Sequence, residues 1–402
     1  MTYSQCVQTS AVAAFRSFGQ ALAMLVLLVA TGTAPAADKV VTVIKTPDDG
    51  IQPQAVVDAK GVLHLLYYTG KPIAGDLFYV RRDPGKERFS EPIAVNNVAG
   101  SAIAMGSIRG GQLAVGKGGR VHVVWNGTTR TTPKNSPTGT PMFYARLNDA
   151  GAAFELQRNL MQDSFGLDGG GTVAADADGT AVVAWHGLKL GGETGEENRR
   201  VWVARSTDEG KTFAAEKPAV AKVTGACGCC GMRGFADAKG HIYFLYRAAG
   251  EKVHRDIYLL TSGDHGKDFE ATKVHPWELM ACPMSSEAFA EGPDGVVAAW
   301  ETDGQVYYVG VDPAKPEIGK PLAAPGAARG RKHPALAVNG KGEMILVWTE
   351  GTGWDKGGAL AWQVYDKAGK PTAEKGRIDD GIPVWGLPTV VAGADGGFLI
   401  IH

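Results

Sequence analysis

Residues 240–269 read GHIYFLYRAAGEKVHRDIYLLTSGDHGKDF. A glycine turn opens the stretch, an apolar run follows from Ile242 to Tyr246, and a second apolar run leads into the turn sequence TSGDHGKDF. Aromatic and β-branched residues favour strands, and glycine with aspartate favours the tight turns that join strands. The stretch therefore predicts consecutive hairpins of an antiparallel sheet.

The first half of this stretch recurs along the chain as a glycine turn followed by an apolar strand that ends in an aromatic ring. The copies run from Gly61 to Tyr67, Gly119 to Trp125, Gly179 to Trp185, Gly240 to Tyr246, Gly295 to Trp300, Gly342 to Trp348 and Gly396 to His402. Their opening glycines are separated by as few as 47 residues (Gly295 to Gly342) and as many as 61 (Gly179 to Gly240). A repeat of this length is typical of propellers and solenoids.

The turn sequence also recurs, because residues 206–213 and residues 262–269 both fit S-x-D-x-G-x-x-F. The aspartate can accept backbone N–H groups, the glycine takes a positive φ and the phenylalanine packs into the sheet. Weaker versions stand at residues 83–85, 147–154 and 366–369. This pattern resembles the Asp-box, or BNR repeat, of the sialidase superfamily, and the repeats extend the resemblance over nearly the whole chain after residue 37.

We interpret each unit as four strands, A to D, of which B ends in the aromatic and the turn motif joins C to D. The chain has seven A-B pairs, six C-D pairs and one extra strand from Val40 to Lys45. That strand can pair with the incomplete last unit, from Leu387 to His402, and so close a ring without an exposed edge. The prediction is an all-β propeller of four-stranded antiparallel blades, with seven blades favoured and six, as in sialidases, the alternative.

The first 37 residues predict a secretory signal peptide. Arg16 precedes an apolar run from Ala21 to Ala30, and Ala34-Pro35-Ala36 offers the small residues of a cleavage site near Ala36. The apolar run is short for a membrane span. We therefore expect a secreted or periplasmic protein whose single propeller domain covers residues 38–402.

The net charge of the chain is close to neutral, so it excludes few classes of function and does not favour a polyanionic partner. The formal net charge is -1, and removal of Arg16 with the signal peptide makes it -2. This balance does not predict binding to nucleic acid or to an anionic membrane. The sequence does not predict an oligomeric state.

The site is expected on the face where A strands begin and B strands end, which we call the channel face, because its loops converge on the central channel. Clustered arginines suit a glycan or another small anionic ligand, since guanidinium binds oxyanions in bidentate fashion. The candidate catalytic residues are Arg233, Arg247, Glu301, Arg331 and Asp168, and the candidate substrate-binding residues are His186, His333 and Arg109.

Cysteines form a second candidate site, since Cys227, Cys229, Cys230 and Cys282 begin the A strands of two consecutive units. Export and an even count favour two disulfides, although a bond between adjacent Cys229 and Cys230 would be strained. A soft-metal site for copper or zinc, with help from methionine or histidine, is one alternative. Redox activity is another.

The stretch from Cys227 to Glu301 also resembles an exported bacterial subgroup of sialidase-like proteins, through Cys-x-Cys-Cys, Tyr246-Arg247, residues 255–258 (RDIY) and Cys282-Pro283. Sialidases take their first carboxylate-binding arginine from an Arg-Ile-Pro motif, where this chain reads Gly-Ile51-Gln-Pro-Gln. The resemblance then implies a replacement cluster of Arg233, Arg247 and Arg331, with Glu301 and Asp168 as carboxyl groups and Tyr68 or Tyr246 as nucleophile.

Three classes of function stay open at this point. A glycoside hydrolase of exo-sialidase-like type is one, and a different hydrolase or lyase acting on an anionic glycan belongs with it. A non-catalytic propeller that binds a glycan or a protein is the second. A metal-binding or redox protein built on the cysteines is the third, because propellers host all of these functions.

Overall fold

The computed structural model describes residues 40–402 except residue 107, residues 129–138, residue 252, residues 313–317 and residues 327–329. The predicted signal peptide lies outside these described residues. Strands dominate the described chain, and its helical elements are three short 3-10 turns, Pro47–Asp49, Lys117–Gly119 and Glu196–Asn198. Within the described ranges no helix is long and apolar enough to cross a membrane. The prediction of an all-β fold is confirmed.

The strands form seven sheets that follow one another along the chain, and we number them as blades 1 to 7. The first strand, β1 (Val41–Ile44), belongs to blade 7. Blade 1 contains β2 (Ile51–Val57), β3 (Leu63–Lys71), β4 (Ala74–Arg82) and β5 (Ile93–Ala94). Blade 2 contains β6 (Gln112–Val115), β7 (Val121–Asn126), β8 (Met142–Arg146) and β9 (Arg158–Asn159). Blade 3 contains β10 (Ser164–Phe165), β11 (Gly171–Ala175), β12 (Ala181–Lys189), β13 (Arg200–Ser206) and β14 (Lys217–Pro218).

Blades 4 to 6 continue the same antiparallel order from A to D. They contain β15 (Met232–Ala236), β16 (Ile242–Arg247), β17 (Ile257–Ser262) and β18 (Glu270–His275); β19 (Glu287–Gly292), β20 (Gly295–Thr302), β21 (Gln305–Val311) and β22 (Leu322–Ala323); and β23 (Arg331–Val338), β24 (Met344–Glu350), β25 (Gly358–Tyr365) and β26 (Pro371–Ile382). Among blades 1 to 6, blade 3 has one additional strand, β10, which pairs with the extended end of β12.

Blade 7 closes the ring with strands from both ends of the described chain. It consists of β27 (Thr389–Ala392), β28 (Phe398–Ile401) and β1, and β1 lies parallel to β28 in the register Val41 opposite Phe398. The predicted seven-bladed propeller is therefore confirmed, as is its closure by the N-terminal strand. Because β1 covers β28, the last sheet does not end on the unpaired edge of its B strand.

Seven hydrophobic clusters hold the blades together, one at each junction between neighbours. The closing junction is built like the others: Leu65 and Tyr67 of blade 1 pack with Val391, Leu399 and Ile401 of blade 7. The aromatic residues that end the B strands are buried in these clusters, including Trp125, Trp185, Trp300 and Trp348. Their side chains therefore pack the blades and do not face a ligand.

The turns opposite the channel face are held by short local hydrogen bonds. In the loop after β13, the Ser206 hydroxyl oxygen accepts the Gly210 N–H (2.9 Å) and the Asp208 carboxylate accepts the Thr212 N–H (2.9 Å). Gly210 has a φ of 77°, which a residue with a side chain rarely adopts. These contacts are the ones that the turn motif predicts.

Candidate functional site at the channel face

Three residues that follow B-strand aromatics, Asn126, Arg247 and Glu301, bond polar groups of the next blade. Asn126 of blade 2 donates from its side-chain amide to the carbonyl oxygens of Asp168 (2.8 Å) and Gly169 (3.2 Å) in blade 3. Glu301 of blade 5 accepts the backbone N–H of His333 in blade 6. We call these residues the blade latches, since each satisfies polar groups at the start of the neighbouring A strand.

Arg247 is the most completely buried of the blade latches. Its guanidinium is 1% exposed and donates to the Ser285 hydroxyl (2.7 Å) and to the backbone carbonyls of Arg255 (2.5 Å) and Glu301. It also lies 4.9 Å from the ring centre of Trp277. A substrate anion would have to displace these acceptors, so the geometry gives Arg247 a structural role between blades 4 and 5.

The three arginines of the expected cluster do not converge on a common partner. Arg331 is buried, with hydrogen bonds to Glu350 (3.3 Å) and Gln305 (3.1 Å), and stacks on Trp348. Arg233 instead lies in the channel. The structure thus separates one channel arginine from two arginines that brace the blades.

Both candidate tyrosine nucleophiles are buried, and their hydroxyl groups form hydrogen bonds within the fold. Tyr68 is buried and donates to the carbonyl of Lys71 (2.5 Å), while the Tyr246 hydroxyl is shared with Thr224 (2.7 Å). Burial raises the pKa of both phenols far above the ordinary value, which opposes formation of a nucleophilic phenolate.

The channel holds a cavity of about 90 Å³ lined by A strands of several blades, and Arg233 and Glu287 both line it. The Arg233 guanidinium donates to the side-chain carbonyls of Gln54 and Gln112 (2.7 Å for Gln112), and burial lowers its pKa to about 10. Glu287 is 6% exposed, and neither of its carboxyl oxygens has a hydrogen-bond partner within the described chain. Burial raises the pKa of Glu287 well above its ordinary value and so favours the neutral form of the carboxyl.

Glu301 lies beside this cavity, among the groups that join blades 5 and 6. Its second carboxyl oxygen lies 3.6 Å from the Lys332 ammonium. Burial raises the pKa of Glu301 to about 7 despite the lowering effect of Lys332 and of the His333 N–H. His333 itself shares a hydrogen bond with the Ser286 hydroxyl (3.0 Å), and burial, followed by the charge of Lys332, lowers its pKa well below the usual range.

Arg109 and Asp168 form an ion pair at the rim of the channel. Arg109 also donates to the backbone carbonyls of Asp168 (2.8 Å) and Met105 (2.6 Å), which fixes its guanidinium. The Asp168 side chain is 45% exposed and the Arg109 side chain 14%. These two predicted residues therefore meet each other, with the carboxylate toward solvent.

His186, another predicted binding residue, is buried in the junction between blades 3 and 4. The ring lies against Gly170 near the carbonyl of Cys230, and neither ring nitrogen has a hydrogen-bond partner among the described residues. Burial, with a smaller effect from Arg199, lowers its pKa to about 3, so the ring is neutral. A neutral imidazole beside the cysteine loop fits structure or metal ligation better than recognition of an anion.

The four cysteines lie together where blades 4 and 5 meet. A disulfide joins Cys229 to Cys282, while Cys227 and Cys230 are free and buried with their sulfurs 2.7 Å apart. Burial opposes ionisation, but the hydrogen bond from Cys227 and the positive charge of Arg247 lower the pKa of Cys230 to about 6. The partner thiol is affected oppositely, because its hydrogen bond with Cys230 and its burial raise the pKa of Cys227.

This cluster could hold a soft metal, because the sulfurs of Cys227, Cys229 and Cys230 lie within 4.8 Å of one another. The disulfide takes Cys229 and Cys282 out of the set as thiolates, so the predicted four-cysteine set is available only after reduction. With the bond intact, two buried thiolates suit copper(I) better than zinc, which in structural sites takes four ligands.

Two functional candidates escaped the sequence reasoning. Glu287 reads there as an ordinary strand residue, and Trp354 lies in the glycine-rich loop GTGWDKGG (351–358). Trp354 is 55% exposed on the channel face, where its ring meets that of Trp385 edge-on at 4.8 Å. The available signal was a tryptophan in a glycine-rich loop between strands B and C, at a position outside the repeat of strand-ending aromatics.

Comparison with solved structures identifies the fold. An α-L-arabinanase of Penicillium chrysogenum, solved with arabinobiose, superposes with a TM-score of 0.50 at 14% identity over 79% of this chain and 94% of its own. A Hadza microbial sialidase gives 0.49 at 14% identity over 80% and 69%, and the NanB sialidase of Streptococcus pneumoniae gives 0.46 at 12% over 90% and 67%. No protein-family model and no curated protein matches the sequence. The superposition with the arabinanase supports the predicted propeller fold.

Proposed function

We propose that this propeller binds an acidic glycan at its channel face. The observation that carries the proposal is the presence of Arg233 and Glu287 in the lining of one cavity. Within the described chain, the guanidinium of Arg233 donates to two amide oxygens, and the Glu287 carboxyl has no hydrogen-bond partner. Buried charges and polar groups are normally satisfied, so a ligand carboxylate or sulfate would complete both.

The dimensions of the site support recognition of a charged group projecting from a sugar. A cavity of about 90 Å³ is smaller than typical ligand pockets and suits a carboxylate group better than a whole ring. The exposed face of Trp354 offers an apolar surface on which a sugar ring can stack at the channel mouth. Gln52 lines the cavity and donates to the Trp385 carbonyl (2.9 Å), which links the two parts.

Glycan binding is also consistent with the arabinanase of similar fold, which was solved with a bound sugar. For location, we propose that the protein acts outside the cytoplasm after loss of residues 1–37. A secreted or periplasmic propeller would meet glycans of cell surfaces, where acidic sugars carry negative charge. The apolar run from Ala21 to Ala30 supports this proposal.

Calorimetric titration with sialyllactose and with neutral lactose tests the proposal. We expect binding of the acidic sugar, weakened by about 2 kcal/mol, roughly thirtyfold in Kd, in Arg233→Gln, because a charge-assisted hydrogen bond is lost. Trp354→Ala should weaken binding by about tenfold. Arg88→Gln is the matched control, since Arg88 is exposed on the opposite face. Equal affinity of Arg233→Gln and the parent chain for sialyllactose would refute the assignment.

Hydrolysis is a second candidate, favoured by one observation, the position of Glu287 in the same cavity, where burial raises its pKa and favours the neutral carboxyl. A neutral carboxyl can protonate a leaving glycosidic oxygen, and the ionisable Glu301 beside it is the second carboxyl available. Release of the fluorophore from an aryl sialoside, and its loss in Glu287→Gln, would support catalysis. Tight binding without release would leave binding as the function.

A further inference from the structure

The four cysteine sulfurs are ordered from the surface into the junction of blades 4 and 5, and we call this arrangement the sulfur row. Cys282 is exposed and bonded to the partly buried Cys229, whereas Cys227 and Cys230 are each 1% exposed. The Cys227 sulfur lies 3.5 Å from that of Cys229 and 2.7 Å from that of Cys230. Each sulfur of the row is therefore bonded to, or in contact with, the next.

These distances fall within the range required for exchange. Atoms that react in an organised site approach to about 3–3.5 Å before bond formation. Cys227 occupies the middle position, close enough to attack the disulfide on one side and to be attacked by Cys230 on the other.

We propose that the sulfur row is a thiol–disulfide exchange site in which the buried dithiol of Cys227 and Cys230 reduces an external disulfide through the exposed bond between Cys229 and Cys282. The activity is separate from glycan binding and does not depend on it.

The internal transfer takes two balanced steps. Cys227 gives up its thiol proton as its sulfur attacks the Cys229 sulfur, so the Cys227–Cys229 bond forms, the Cys229–Cys282 bond breaks and Cys282 leaves as thiolate. The Cys230 thiolate then attacks the Cys227 sulfur, which forms the Cys227–Cys230 bond and releases Cys229 as thiolate. Two protons leave the buried pair and two are taken up by the exposed pair, so no external oxidant or net proton is needed.

The external transfer follows at the surface. The exposed Cys282 thiolate attacks one sulfur of an external disulfide and expels the first external thiolate. The Cys229 thiolate attacks the Cys282 sulfur, re-forms the Cys229–Cys282 bond and expels the second. The external disulfide has gained two electrons, the buried pair has lost two, and the chain now carries two disulfides.

The surrounding loop is held so that these exchanges need little backbone motion. The Cys227 N–H donates to the Arg247 carbonyl (2.9 Å), and the Gly228 N–H donates to the Glu196 carboxylate (2.7 Å), which also pairs with Arg255 (2.7 Å). The Gly231 N–H donates to the Ser285 carbonyl (2.7 Å), which ties the loop to the segment after Cys282. A fixed backbone on both sides keeps the four sulfurs in register.

The test uses the full chain without its signal peptide, prepared free of metal and partly reduced so that one disulfide remains. Oxidised glutathione is the probe, and insulin replaces it in a second arm to ask whether protein disulfides serve as well. After timed alkylation, peptide mapping counts each disulfide pair, and released thiol is measured in parallel. We expect the Cys227–Cys230 pair to appear as external thiol is released.

Three variants define the result. Cys282→Ser should slow oxidation of the buried pair by about tenfold or more, because the exposed entry point is lost. Cys230→Ser should abolish formation of the second disulfide, while Met280→Ser, an exposed neighbour of Cys282, should behave like the parent chain. The proposal is overturned if Cys227 and Cys230 stay reduced at every glutathione ratio. It is also overturned if the pair oxidises equally fast in Cys282→Ser, or if stoichiometric copper or zinc protects it from alkylation.

Discussion

The two faces of the ring are held by opposite kinds of contact. On the turn face, Asp208 and Ser206 bond groups two to four residues away. On the channel face, the partners of Arg247 lie 8, 38 and 54 residues away along the chain. The hydroxyl and carboxylate contacts of this turn are therefore made within one hairpin, and Arg158 of the preceding blade adds a donor to the Lys211 carbonyl (2.6 Å). The contacts of Arg247 with blade 5, in contrast, form only when neighbouring blades are docked.

Because of this difference, the role of a polar residue can be assigned from its sequence neighbours on the turn face but not on the channel face. On the turn face, an aspartate before a glycine can be assigned from its neighbours in sequence. On the channel face, the same side chain can be a blade latch, a rim ion pair or a ligand group, depending on which blade lies beside it. Arg247 and Arg233 illustrate this point, since one bridges blades and the other lines the cavity.

The largest effect is expected where a latch is removed. Arg247→Ala should lower the free energy of unfolding by about 3 kcal/mol or more, because several buried acceptors lose their donor. Urea unfolding followed by tryptophan fluorescence measures the change. Arg88→Ala, an exposed arginine on the turn face, should change it by about 0.5 kcal/mol or less. Similar losses in the two variants would contradict the distinction between the faces.

A smaller effect, visible only as a function of pH, is expected at Glu301. Its folded-state pKa of about 7 lies above the unfolded value, near 4.3 for glutamate, so its contribution to stability is complete below the unfolded pKa. That contribution is lost as pH rises toward 7, because the unfolded state ionises first. The free energy of unfolding of the parent chain should therefore fall relative to Glu301→Gln by about 3 kcal/mol between pH 4.5 and 7.5. Parallel curves for the two proteins would disprove the raised pKa.

The smallest effect is expected on the turn face. Asp208→Ala and Asp264→Ala should each cost about 1 kcal/mol, because each removes side-chain acceptors from an exposed turn. The double variant should lose the sum, since within the described chain the carboxylate of each aspartate bonds only groups of its own turn. Thermal or urea unfolding of the four proteins gives the comparison. A clear departure from additivity would show that the turns communicate between blades.

Much of the fold could be predicted because its signals are local. The glycine before Ile242 and the aromatic Tyr246 mark a strand wherever they recur, and counting strand pairs led to seven blades and to closure by β1. The blade order also predicted that Cys229 and Cys282 are neighbours, which the disulfide bears out.

The site was harder to predict, because its chemistry depends on distances between blades. Arg247 and Arg331 are cations in the expected places, but nearby carbonyls and Glu350 engage them before a ligand can. Glu287 gives no signal in sequence, since its importance arises from burial in a cavity that it shares with Arg233, 54 residues earlier. Trp354 stands outside the strand period, and only the ring places it above the channel.

The parallel pairing of β1 with β28 also bears on how the molecule comes into being. During synthesis, Phe398–Ile401 emerge after every other described strand, and they supply the partner of Val41–Ile44. Until β28 has been made, the nascent protein is an open arc in which the apolar surfaces of blades 1 and 6 that face blade 7 are not covered. A polypeptide that ends before β28 would lack the partner of β1, so its ring would stay open. Its uncovered apolar surfaces would then remain accessible to chaperones and proteases.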